Sequence, residues 1–501
     1  MKDSSTWSRR LGKLISSLVI LLLATSGALA FGASKWSLRE FGPISVPQAL
    51  DNLSGSGNEG IPDYYAASLA KWIVFPGVVV FVGACVALLL SQWLGKHHHI
   101  FWSRFILALT LIGSLVSATI GAVYADKAIN LVKWLTPRPT HVDIAEYYVE
   151  PDVVKPTDGD KNLVVIYLES MDTAFADDSL VEGNALESLL ETTEDWATLD
   201  RYTQYPSGGW SQAGMVASYC GIPIRAEGED SVANGSEIAV DAGPYMPGVT
   251  CLSDILHQEG YNQVFLSGGD LTFANSRDFL TSHGFDRVLE LRDWEAQGET
   301  EMVSWGLADR RLIHYVKQEL LDLSKQNAPF SLSFATLDNH SPASILPHCP
   351  DAYSDKTLSA IKCQSEMVAE LVDFMDENGL LENTVVVMIA DHQIMDGYPV
   401  AAYRNLIPRQ DEYPIFNKFY SPDGVTLQRS EGTQLDVFPT LYNLLGGELS
   451  DGRGGLGVSL LVPEESATQG QMLPSLSRDE QYEVLTSKSS DWIRQIWGET
   501  D

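Results

Sequence analysis

Leu163-Val164-Val165-Ile166-Tyr167-Leu168-Glu169 decides how this chain folds: six consecutive apolar residues, rich in β-branched and aromatic types, end on a carboxylate. A half-exposed strand would alternate polar and apolar residues. An unbroken run of this length suits a strand buried on both faces, as in a parallel sheet covered by helices. Further short apolar runs lie at 263–266, 330–336 and 385–389, with helical patterns between them at 310–323 and 365–377. Strands alternating with helices define an α/β class, a mostly parallel sheet flanked by helices on both faces. The expected domain spans 161–474, followed by an acidic tail, 475–501, carrying Trp492 and Trp497 in a terminal helix.

Upstream the composition changes. Residues 14–31, 72–94 and 105–124 contain no Asp, Glu, Lys or Arg, and each is near the roughly 20 residues needed to cross about 30 Å of hydrocarbon. Up to three transmembrane helices are therefore expected within 1–126. The first stretch follows Arg9, Arg10 and Lys13 and ends in Ala28-Leu29-Ala30, so it reads either as a retained helix or as a cleaved signal peptide. Both readings leave the 96–104 loop inside and everything past about Lys127 outside, on the positive-inside rule. His97, His98 and His99 in that loop suit an interfacial feature better than a metal site. Residues 127–160, with Pro137, Pro139, Pro151 and Pro156, read as a connector leaning on the exported domain.

Charge and cysteines narrow the function. Across its 501 residues the chain has 33 Lys and Arg against 66 Asp and Glu, a formal net charge of −33. Residues 1–135 hold eleven basic and six acidic side chains, so the acidity belongs to the exported part. Nucleic acid is excluded as a partner, because neutralising phosphates needs a basic surplus. An acidic domain that handles anionic substrates needs a cation or a local basic pocket. Of the five cysteines, Cys85 lies in a hydrophobic stretch, and Cys220, Cys251, Cys349 and Cys363 form an even set in the exported domain. Four cysteines allow three pairings; pairing of sequence neighbours, Cys220 with Cys251 and Cys349 with Cys363, is favoured in an oxidising compartment.

In open α/β sheets ligands gather at the carboxyl ends of strands. Two apolar runs here end in metal-type ligands: the first in Glu169, and Val385-Val386-Val387-Met388-Ile389-Ala390 in Asp391-His392. Carboxylates with one imidazole suit Mn²⁺, Mg²⁺ or Zn²⁺; the plain alternative is an exposed strand end with an N-cap Asp. Gly208-Gly209-Trp210-Ser211 precedes a helical pattern and places Ser211 at a helix start, where a hydroxyl is either a nucleophile candidate or only a cap. Ser207 and Ser218 compete with it. His340, after the 330–336 run, either contacts an oxyanion or caps the turn before Pro342.

Leu168-Glu169-Ser170, the Gly209 to Pro223 stretch, Ser282-His283-Gly284-Phe285-Asp286, Asp338-Asn339-His340, Ala390-Asp391-His392 and Leu435-Asp436-Val437-Phe438-Pro439-Thr440 occur in an order that resembles one known branch. It is the phosphoglycerol transferase and lipoteichoic acid synthase branch of the alkaline phosphatase/sulfatase superfamily, and the Cys220 region is similar to the transferases that decorate periplasmic glucans. The resemblance covers about Asn162 to Gly447. It implies one divalent metal, manganese first and magnesium or zinc as alternatives, held by Glu169, Ser211, Asp391 and His392. It implies His340 at the substrate phosphate, with Arg277 offset by one residue from a phosphate-contacting arginine. Ser211 replaces the usual threonine, keeping a hydroxyl.

The implied activity is transfer of phosphoglycerol from phosphatidylglycerol, through a covalent Ser211 intermediate, to a periplasmic glucan or another sugar hydroxyl. The catalytic domain would face the periplasm from the inner membrane, within reach of the lipid bilayer. A phosphoethanolamine transferase or phosphodiesterase of the same fold shares these ligands. A sulfatase is disfavoured, since Cys220-Gly-Ile-Pro223-Ile-Arg225 places Pro and Arg each one residue late for formylglycine formation. A membrane-anchored sensor that lost turnover is the non-enzymatic alternative.

Overall fold

The computed structural model describes residues 3–40, 44, 46, 67–135, 143–206, 208–225, 244–340, 343–394, 414–467, 471–487 and 489–498. They fall into two compact units, one made of residues 1–46 and 61–136, the other chiefly of residues 137–501.

The first unit holds three helices long and apolar enough to cross a membrane: α1 (Asp3–Glu40), α2 (Phe75–Lys96) and α3 (Ile100–Ile129). Helices α1 and α3 cross closely because both backbones are bare there. A Cβ on Gly121 would stand 2.4 Å from the Gly27 carbonyl oxygen, the small-residue contact that lets membrane helices approach. Ser117 adds a hydroxyl bond to the Ala24 carbonyl at 2.9 Å. His97 to His99 form the turn between α2 and α3, with His98 in the left-handed region at φ 66°.

The second unit is built on a six-stranded sheet of β1 (Asn162–Leu168), β2 (Asn262–Ser267), β3 (Arg287–Leu289), β4 (Phe330–Ala335), β5 (Thr384–Ala390) and β6 (Asn417–Tyr420). Their spatial order is β6-β5-β1-β4-β2-β3, with only β6 antiparallel. Every residue of β1 and β5 is buried, as their unbroken apolar sequences require of central strands. The four apolar runs read from the sequence are thus β1, β2, β4 and β5. Strands β3 and β6 escape that reading: one is three residues long, and the other, Asn417-Lys418-Phe419-Tyr420, is a polar-bearing edge.

Around the sheet lie α4 (Ser211–Cys220), α5 (Leu252–Gln258), α6 (Ser276–Ser282), α7 (Asp309–Leu323) and α8 (Lys356–Glu377). Helix α8 starts nine residues before the expected 365, because the Asp355 carboxylate caps it through the amides of Thr357 and Leu358. The two neighbouring-cysteine disulfides are present, Cys220–Cys251 and Cys349–Cys363. The first ties the end of α4 to the N-cap of α5.

Of the connector, Val153–Lys155 pairs antiparallel with Glu448–Leu449, and the Val149 amide bonds the Gly455 carbonyl. The tail forms two helices, α9 (Arg478–Leu485) and α10 (Ser490–Ile496). Trp492, Ile493 and Ile496 are buried. Gly248 donates to the Ile496 carbonyl at 3.0 Å, and the Trp497 indole donates to the Arg225 carbonyl at 3.2 Å. The tail therefore packs on segments flanking the first disulfide.

Candidate active site

Strand register assembles the centre. Leu168 on β1 pairs with Ala390 on β5, so the next residues, Glu169 and Asp391, leave the sheet side by side. The Asp391 amide closes the pair on the Leu168 carbonyl at 3.2 Å. Glu169, Asp391 and His392 are each at most 2% exposed, and one ligand atom from each lies within 4.8 Å of the others. The His392 Nδ1 is 2.6 Å from the Gln393 carbonyl, an acceptor only, so Nδ1 carries the proton. That turns Nε2 toward the acids, 3.7 Å from Glu169 Oε1 and 3.7 Å from Asp391 Oδ2, with no hydrogen-bond partner among the described residues.

Burial pushes the Asp391 carboxyl up to about 7, with His392 acting downward and Glu169 upward. Burial also works against a charged His392, but Asp391 and Glu169 outweigh it and raise the imidazole. Two carboxylates and an imidazole nitrogen converging in a dry site suit a divalent cation, with Gln393 orienting the ring as an outer partner. The residues present therefore fit such a metal. Two other groups of ligand-type side chains occur among the described residues, Cys251–Asp254–His283 and His348–Cys349–Cys363. Their cysteines are spent in disulfides.

Helix α4 brings the hydroxyl. Its first residue is Ser211, whose Oγ lies 3.5 Å from Glu169 Oε2. The close approach depends on Gly214, where a Cβ would sit 2.1 Å from the Asp391 carbonyl oxygen. The N-terminus of α4 also offers partial positive charge to an anion. Ser218 drops out as a competitor: it is fully buried, bonded to the Tyr167 hydroxyl at 2.7 Å and to the Gly214 carbonyl at 2.7 Å. Ser207 lies outside the described residues.

Glu169, Ser211, Asp391 and His392 are thus brought together; among the described residues, the contacts that join them do not include His340 or Arg277. His340 sits in the turn after β4, its amide on the Leu337 carbonyl and its ring 4.4 Å from that of Trp305. Trp305 also meets Phe273 at 5.5 Å, just before α6, which carries Arg277. Between them Ala274 and Asn275 hold left-handed backbones, φ 57° and 55°, costly for residues other than glycine. The Arg277 guanidinium pairs with the buried Glu290, which also takes Arg292.

Sequence reasoning missed several supporting residues. Ser170, in the left-handed region at φ 50°, donates its hydroxyl to Glu169 Oε1 at 2.6 Å and its amide to Asp391 Oδ1 at 2.9 Å. Gln434 donates to the Asp391 carbonyl at 2.9 Å. Ser170 was visible only as the neighbour of a ligand, and Gln434 carried no signal.

The sulfatase family model matches residues 161–447, and the chain belongs to that family. It is 30% identical over 342 residues to phosphoglycerol transferase I of Xanthomonas campestris pv. campestris (strain B100), covering 66% of this chain and 47% of the relative. It is 28% identical over 449 residues to phosphoglycerol transferase I of Citrobacter koseri, covering 86% of this chain and 54% of that one. The chain thus spans about half the length of the curated relatives it matches. Among solved structures it is similar to a Vibrio parahaemolyticus protein of the alkaline phosphatase superfamily, with 24% identity and a TM-score of 0.47, covering 64% of this chain and 74% of the other.

Proposed function

We propose that the chain is a membrane-anchored phosphoglycerol transferase that moves the head group of phosphatidylglycerol to a sugar hydroxyl, such as that of a periplasmic glucan, through a covalent Ser211 intermediate. The observation that carries this reading is the Ser211 hydroxyl at the start of α4, beside three buried ligand side chains that converge on one point. The names of the curated relatives support the donor class. Glu169, Asp391, His392 and Ser211 would hold the metal, manganese first. When bound, such a cation supplies a Lewis acid that lowers a hydroxyl pKa and polarises a phosphoryl oxygen.

The chain's own groups do the rest. The Ser211 Oγ loses its proton and forms a bond to phosphorus; the bond from phosphorus to the diacylglycerol oxygen breaks, and that oxygen takes up a proton. A sugar hydroxyl then passes its proton to His340, restoring it, and attacks the phosphorus of the glycerophospho-serine; the phosphorus–Oγ bond breaks and Ser211 is released. His340 orients the phosphate and supplies the proton to the leaving oxygen; Arg277 offsets phosphate charge only by giving up its pairing with Glu290. Two disulfides suit the oxidising side of the inner membrane. Formylglycine chemistry at Cys220 is disfavoured by its disulfide with Cys251.

The test is incubation of the full chain in membranes with Mn²⁺, a glucan acceptor and phosphatidylglycerol tagged on its glycerol. Wild type transfers the tag to glucan and Ser211→Ala does not, nor does it trap a labelled adduct. Release of free head group alone would assign hydrolysis, and transfer only from tagged phosphatidylethanolamine would assign the phosphoethanolamine reaction.

A further inference from the structure

The end of β4 does two things at once. The Thr336 hydroxyl donates to the Tyr167 carbonyl at 3.3 Å and accepts the Glu169 amide at 3.0 Å. Three residues on, the Asn339 amide nitrogen donates to the Glu169 carbonyl at 2.6 Å. Both peptide groups of Glu169 are therefore held by one turn, and the next residue in that turn is His340. Glu169 leaves β1 just before Ser170, whose backbone is in the left-handed region. Strand pairing ends one residue earlier, where the Asp391 amide closes on the Leu168 carbonyl.

The turn is itself clamped from outside the centre. Asp309, the first residue of α7, is fully buried and accepts the amides of Leu337 at 2.7 Å and Asp338 at 3.0 Å. Its own amide donates back to Asp338 Oδ1 at 3.0 Å. Gln364, from the middle of α8, bridges Asp309 Oδ2 at 3.0 Å and Asn339 Oδ1 at 2.8 Å. Two helices thereby fix the orientation of a single amide side chain, and an amide held at its oxygen presents its N–H₂ in a set direction.

We propose that Asn339, locked by Gln364 and Asp309, is a positioning residue that aims the Glu169 carboxylate at the cation and sets His340 in the same turn, so that ligand and phosphate contact move as one. The inference rests on the metal reading above. Its test reads metal binding directly, not turnover. Full-length protein in detergent micelles is stripped with chelator and titrated calorimetrically with Mn²⁺, well below the Tm of each variant.

Asn339→Ala is expected to bind Mn²⁺ about 10- to 100-fold more weakly, the usual cost of losing an outer partner. Thr336→Val keeps the side-chain shape and removes only the hydroxyl, so it carries the test if Asn339→Ala fails to fold; it should weaken binding in the same direction. Wild-type affinity in both variants, with only Tm lowered, overturns the proposal and leaves the metal reading standing. A wild type that takes up no Mn²⁺, Mg²⁺ or Zn²⁺ sinks both.

Discussion

Two of the buried acid groups in this domain meet the same problem with different partners. In the first, Asp309 and Asp338 face each other, and Asp309 receives two backbone amides and the Gln364 side chain. Burial raises Asp309 to about 6, and burial followed by the Asp309 charge raises Asp338 to about 9. In this pair burial opposes charge on both carboxyls, and the neighbouring Asp309 adds to it on Asp338. In the second, Glu169 and Asp391 converge with an imidazole nitrogen that has no hydrogen-bond partner among the described residues, beside a hydroxyl at a helix start. A perturbed carboxyl is thus a poor marker of chemistry by itself. Converging ligand atoms around an unused nitrogen are a better one.

The sharpest break between the two groups should come at the hydroxyl. Ser211→Ala is expected to cut head-group transfer by on the order of 10³-fold or more, measured as tagged glycerol on glucan, while Asp338→Asn, which keeps an oxygen for the Asp309 amide, cuts it far less. Next comes Asp391→Asn, which removes one charge from the proposed metal site. Its Mn²⁺ affinity should fall by more than the roughly 100-fold upper cost of an outer-partner loss, read by calorimetry on stripped protein; unchanged affinity would place the cation elsewhere.

Gly214→Ala tests the approach of α4 to β5. A Cβ would meet the Asp391 carbonyl oxygen at 2.1 Å, and crowding against backbone costs about 1–3 kcal/mol. Transfer activity and Tm should both drop, with activity the more sensitive because Ser211 moves with the helix.

The smallest effect belongs to the other pair and has the opposite sign. A carboxyl raised in the fold favours the native state at low pH and loses that contribution as pH rises from the unfolded value, near 4, through the folded value of about 9. Asp338→Asn keeps an oxygen for the Asp309 amide and removes the titration. The Tm of this variant should fall less than that of wild type between pH 5 and about pH 9. Parallel Tm curves would show that Asp338 is ionised in the fold.

Much of this was legible before any contact was known. The runs that became β1 and β5 are too apolar to be anything but central strands, and each ends on a ligand type, so Glu169, Asp391 and His392 could be singled out. Ser211 was marked by its glycines and by the resemblance. The start of α8 was missed although Asp355 is a good cap, because the apolar period looks strong only further along. Asn339 was visible as part of a motif but carried no role. Gln364 lies on the buried face of a helix, where one glutamine has no signature.

The sequence alone determined the layered α/β class, the three apolar helices and the strand ends with ligand-type side chains, and it favoured the neighbouring-cysteine pairs among three pairings, because hydrophobic period and spacing are local properties of the chain. Tertiary structure decided that β1 and β5 are adjacent and in a register that sets Glu169 beside Asp391. It also decided that Gly214 lets α4 reach them and that an amide from the turn after β4 holds Glu169 from behind. Those are hydrogen bonds and close contacts between segments far apart in the chain, and no local pattern encodes which buried polar group will meet which.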